Sequence, residues 1–166
     1  MKIRKKLITS LNIISLILFV IPAFKLDLFK ENYSTLSLTT RGYLYVLFLG
    51  LFIGTILGYE TSIVSNKKRG ILMFLFMLIG VLIPHHVPYN LQGNLHLVCA
   101  YFGFAGISII TILNTRNLKT RNVFIICLFL AFVFYLKFGM VNTISEIIVM
   151  ISYLFTNYIG YKKMVN

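Results

Sequence analysis

Long apolar runs separated by short basic breaks dominate this chain, and they fix what it can fold into. The runs cover about 7–23, 43–64, 71–84, 95–113, 123–138 and 143–161. A helix needs roughly 20 apolar residues to cross about 30 Å of hydrocarbon. Of the 166 residues, 58% are hydrophobic and 12% charged. A single soluble core of this size has no room for so much apolar surface. The pattern therefore predicts one membrane domain over 1–166: an all-α, polytopic transmembrane helical bundle of six spans. Runs three and five are short, so they stand upright, thin the bilayer or extend beyond these bounds. The first run lacks an A-x-A cleavage site and is long for a signal core, so it reads as an uncleaved span.

The positive charges give orientation. Twelve of the sixteen Lys and Arg residues fall in four segments: 2–6, 67–69, 116–121 and 162–163. Lys25, Lys30 and Arg41 fall in an alternate connection, and Lys137 falls on the same side, near the end of the fifth run. Basic residues stay on the cytoplasmic side, which predicts that both termini are cytoplasmic and that the loop 24–42 is external. A plasma membrane location is expected. The net charge of +12 is then a topology and lipid-headgroup signal, not a nucleic-acid footprint. A short interfacial helix is expected at 26–29. Trp is absent, so Tyr43, Tyr45, Tyr158 and Tyr161 are expected to form the interfacial aromatic belt.

Few residues in the spans carry chemistry. Gly50, Gly54 and Gly58 form a GxxxGxxxG ladder on one helix face, which lets another backbone approach. The ladder suits packing within the chain, a homo-oligomer contact or a groove, with Gly103 and Gly106 as an opposing surface. His85, His86 and His96 gather on the outer side, with Pro84 and Pro88 bracketing the first two and Asn90 in the polar connection that follows. Glu146 lies one turn into the last span, where an ionised group needs a partner or a water pocket. His96, Lys137 and Arg41 are its candidate partners, and Glu60 is expected to pair with Lys67, Lys68 and Arg69. Cys99 and Cys127 read as small buried hydrophobes. HH-x9-H is not a zinc spacing, so no metal site is expected. G-x-S-x-G, HExxH, P-loop and haem motifs are absent, so no catalytic residue and no cofactor is assigned.

The segment 93–104 has a histidine that opens span four, then a small residue and aromatics: His96, Ala100, Tyr101 and Phe102. Glu146 begins span six, and 153–159 closes it with aromatics and a threonine. This pattern resembles the six-span superfamily of damage-regulated autophagy modulator (DRAM) proteins, GPI-lipid remodelling factors and their bacterial relatives. The resemblance implies six spans and a large first outer loop, and it fixes no reaction. This chain departs from the group in two places. Residues 34–40 read Ser-Thr-Leu-Ser-Leu-Thr-Thr where a Ser-Glu motif is usual, and no tryptophan follows Glu146.

The leading expectation is a non-enzymatic protein that acts through membrane lipids or a membrane-protein partner. His96, Glu146, His85 and His86 would form an outer polar pocket for a lipid headgroup or small ligand. The rivals are a small transporter or channel subunit, an immunity protein against a membrane-active toxin, and a metal-dependent membrane hydrolase. Scattered span polar residues such as Asn12, Thr55 and Ser108 do not suggest a mid-membrane solute path.

Overall fold

A computed structural model describes residues 2–85 and 91–165. His86, Pro88 and Asn90 lie outside the described residues. The described chain is all α: α1 (Lys2–Val20) with a 3-10 turn (Ile21–Lys25), α2 (Tyr33–Leu36), α3 (Thr40–Val64), α4 (Lys67–Leu82), α5 (Leu91–Asn114), α6 (Leu118–Phe138) and α7 (Thr143–Val165). Five of its helical segments are long and apolar enough to cross a membrane: Lys6–Lys25, Thr40–Val64, Leu91–Asn114, Leu118–Phe138 and Thr143–Met164.

Side-chain caps set the helix starts. Asn66 accepts the Arg69 N–H at 2.9 Å, so α4 begins four residues before the apolar run does. Asn117 accepts the Thr120 N–H at 3.0 Å and starts α6 five residues early. The fifth run thereby becomes a full-length helix of 21 residues. Such caps satisfy backbone donors that a helix start otherwise leaves open. Gly139, with φ of 70°, takes the left-handed conformation that ends α6.

The loop between α1 and α3 differs from expectation. Residues 26–29 are not helical, because Asp27 Oδ1 accepts the N–H groups of Phe29 and Lys30 and folds a turn there. The short helix forms later, at α2, where Asn32 caps by accepting the Thr35 N–H.

α4 is sandwiched. On one face it meets the α3 ladder, where Gly58 approaches Gly70 and Phe74, Gly54 approaches Met77 and Gly50 approaches Val81. A Cβ on Gly58 would lie 2.8 Å from the Gly70 carbonyl oxygen. On its other face α4 meets Gly103 and Gly106 of α5 through Phe76 and Gly80. The ladder therefore packs within the chain, with α4 as its opposing surface. Gly103 and Gly106 pack on the far side of α4, not against the ladder. α7 is the hub and touches α1, α3, α5 and α6. By contrast, α5 and α6 are joined by a short turn yet are not packed along their length.

The two ends of the bundle differ in character. At one end Arg69 donates to Asn114 at 3.0 Å, Thr9 pairs with Tyr158 at 2.8 Å, and Arg116 lies beside Lys163 around a small cleft. Helix ends that carry the segments 67–69, 116–121 and 162–163 adjoin there, and α1 starts at the same end. The other end carries α2, His85, His96 and the start of α7. Two of the tyrosines anchor neighbouring helices: Tyr43 and Tyr45 donate to the Leu82 and Leu18 carbonyls. Tyr161 is 1% exposed because it packs inward beside Tyr59. Cys99 and Cys127 are free and only partly buried.

Candidate functional site

The polar end owes its shape to hydrogen bonds between the loop that joins α1 to α3 and the start of α7. The Glu31 carbonyl accepts from the Thr143 N–H at 2.7 Å and from the Thr143 hydroxyl at 2.8 Å. Asn32 Nδ2 donates to the Val141 carbonyl at 3.2 Å. Asn142 caps α7 by accepting the Ser145 N–H at 3.0 Å. These bonds fold α2 back over the bundle.

Glu146 completes the anchor. Its Oε2 accepts the Tyr33 N–H at 2.7 Å, so a carboxyl on α7 caps the first turn of α2. It forms no ion pair with His96, Lys137 or Arg41. The sequence carries no sign of this backbone partner, because a main-chain N–H is the same in every residue. Burial, then the nearby Glu146 and Tyr45, push the Tyr33 phenol above its usual range. The phenol stays protonated and donates to the Phe19 carbonyl.

His96 is 6% exposed and bonded at both ring nitrogens. Nδ1 lies 2.6 Å from the Ile83 carbonyl oxygen, which can only accept, so Nδ1 carries a hydrogen. In the neutral ring Nε2 is then an acceptor, and it takes the Ser34 hydroxyl hydrogen at 3.0 Å. The His85 ring packs edge-on against His96 with centroids 5.3 Å apart, and the His85 N–H donates to Ser37. His86 is outside the described residues. Among the described residues no cluster of three or more His, Cys, Asp or Glu could hold a metal ion.

His96 and Glu146 line one cavity of about 740 Å³. Its rim is polar, formed by Tyr33, Ser34, Ser37, His96, Ser145 and Glu146. Its body is apolar, walled by residues such as Leu49, Ile53, Met77, Ile107, Leu128 and Val149. Tyr101, Phe104 and Ile109 of α5 and Phe132 of α6 line it and are also about half exposed, so the cavity opens sideways through the α5–α6 seam. The expected pocket residues His96 and Glu146 share this cavity, His85 is not among its lining, and the sequence does not reveal Ser34, Tyr33 or the apolar body.

Glu60 departs from expectation. It is fully buried and accepts from Asn12 Nδ2 at 2.7 Å instead of pairing with the basic cluster. Arg69 of that cluster instead bonds Ser65 and Asn114. Glu60 faces α1 from the last turns of α3, whereas 67–69 lies beyond the turn. Nearby, Asn157 links Thr61 and Thr111 at 3.4 and 3.3 Å. This second polar cluster sits in packed helices and does not line the large cavity.

No protein-family model matches the chain, and neither a curated protein nor a solved structure does.

Proposed function

We propose that the chain is a six-span membrane protein with both termini cytoplasmic, sharing the layout of the DRAM-like group, and that it binds a lipid-like amphiphile. Span three, the one beyond the five long apolar helices, is α4. Its 16 residues rise about 24 Å, short of the hydrocarbon thickness, but it runs beside α3 from Gly58 to the level of Tyr43. The gathering of every basic segment at one end supports the orientation. Tags inserted after Lys30 and after Asn117 should report opposite compartments. Finding both on one side contradicts this topology.

The observation that carries the binding reading is an apolar cavity with a polar rim and a side opening. About 740 Å³ falls within the range of roughly 300–1,000 Å³ usual for ligand sites. An acyl chain fits the body, and the headgroup meets Ser34, His96 and Glu146 at the rim. Binding alone is sufficient for this role, so the protein acts through lipid, or through a partner that senses the occupied state. Native mass spectrometry of the detergent-purified chain should show a retained acyl lipid. Ala100→Trp, which fills the wall, should lower occupancy at least tenfold, and Glu146→Gln should lower it less. A parent chain that never carries lipid removes this reading.

A further inference from the structure

We propose that Ser34 and His96 form a nucleophile–base pair that transfers an acyl group from a lipid ester lodged in the cavity. The inference rests on the binding reading above and adds a chemical step to it.

The geometry is specific. Four serines line the cavity: Ser34, Ser37, Ser108 and Ser145. Ser37, Ser108 and Ser145 donate to the carbonyls of Ser34, Phe104 and Asn142. The Ser34 hydroxyl instead faces an imidazole nitrogen at 3.0 Å. The Ile83 carbonyl holds the hydrogen of that ring on Nδ1, leaving Nε2 free to accept a proton. A third group that orients the base is the general signature of an activated hydroxyl. Here a backbone dipole takes that place, and its negative end would stabilise the imidazolium. The pair sits at the polar rim, where the ester carbonyl of a lipid would lie if its acyl chain filled the apolar body. Glu146 lies on the same rim and, through Tyr33, fixes the turn that carries Ser34.

The step balances without a cofactor. Ser34 Oγ bonds to the ester carbonyl carbon while its proton passes to His96 Nε2. The carbon–oxygen bond to the leaving alcohol breaks, and that alcohol takes the proton from His96. A second hydroxyl compound, water or an alcohol, then gives its proton to His96 and takes the acyl group. The proton returns to Ser34.

The test uses the full chain in detergent and a long-chain alkyl fluorophosphonate, which phosphonylates an activated serine with loss of fluoride. One adduct, mapped to Ser34 by peptide mass spectrometry and lost on heat denaturation, is expected. His96→Gln should slow labelling about 100-fold, the lower range for loss of a general base. Lipid occupancy is measured on the same unlabelled parent chain. Lipid bound with no Ser34 adduct overturns the transfer step and leaves binding standing. Neither lipid nor adduct overturns both. Labelling that persists within threefold in a His96→Gln chain of unchanged melting temperature overturns the role of His96.

Discussion

α5 meets two neighbours in opposite ways. Toward α4 it presents Gly103 and Gly106, and the helices close until the Phe76 ring and backbone fill the gap. Toward α6 it presents Tyr101, Phe104 and Ile109, and the seam stays open over the cavity. In lipid, apolar surface alone does not drive helices together, so close packing depends on small residues. The distribution of glycine along α3, α4 and α5 thus decides which seams are sealed and which one is left for a ligand.

The sharpest way to break this contrast is to enlarge Gly103. A Cβ there would lie 2.5 Å from the Phe76 carbonyl oxygen, so Gly103→Leu forces α4 and α5 apart. A loss of about 3 kcal/mol or more is expected, read by thermal unfolding in detergent. An unchanged melting temperature would show that the sealed seam is not tightly packed.

A pair of leucines contrasts packed core with cavity wall. Leu57 of α3 is 0% exposed in the packed core, whereas Leu128 lines the cavity. Leu57→Ala should cost about 3 kcal/mol by leaving a new void. Leu128→Ala removes atoms beside existing space and should cost about 1 kcal/mol. Equal losses would mean that the open seam is filled by packing from the protein itself.

The loop anchor comes next. Glu146→Ala leaves the Tyr33 N–H without its acceptor and should cost about 2 kcal/mol, while Glu146→Gln keeps an acceptor and should cost less. Faster protease cleavage in 26–39 for the Ala variant alone is the readout.

The smallest effect is expected at Glu60. Its Oε2 and Asn12 Oδ1 are buried with no hydrogen-bond partner among the described residues. Glu60→Gln supplies a donor there while keeping an acceptor for Asn12. Stability should hold within about 1 kcal/mol, or rise, since a satisfied pair replaces an orphaned oxygen. A large loss would show that the carboxyl has another partner.

Much of the fold was legible because hydropathy and charge act along the chain itself. The runs located the long helices to within a few residues, and the GxxxG spacing marked a face that is packed. What could not be read depends on neighbours distant in sequence. Asn66 and Asn117 extended α4 and α6 through local caps that hydropathy does not register. Ser34 lies 62 residues from His96, and Glu146 acts on a backbone N–H 113 residues away. Ser34 does not stand out among the hydroxyl residues of 34–40, because a hydroxyl acquires its role from the imidazole it meets. Sequence proximity pairs Glu60 with Lys67, Lys68 and Arg69, whereas its helix face turns it toward Asn12 of α1. His96 and Glu146 mark the polar part of the cavity in the sequence, but its apolar body and side opening have no sequence signal, since they are defined by two helices that do not pack.

Photocrosslinking tests the open seam most directly. The chain is placed in a nanodisc of phospholipid bearing a diazirine midway along one acyl chain, then irradiated and mapped by peptide mass spectrometry. Adducts on Ala100, Leu128 and Val149, inside the cavity, are the expected result. Adducts confined to residues facing away from it, such as Val98, Leu113 and Ile126, would mean that lipid stays outside the α5–α6 seam.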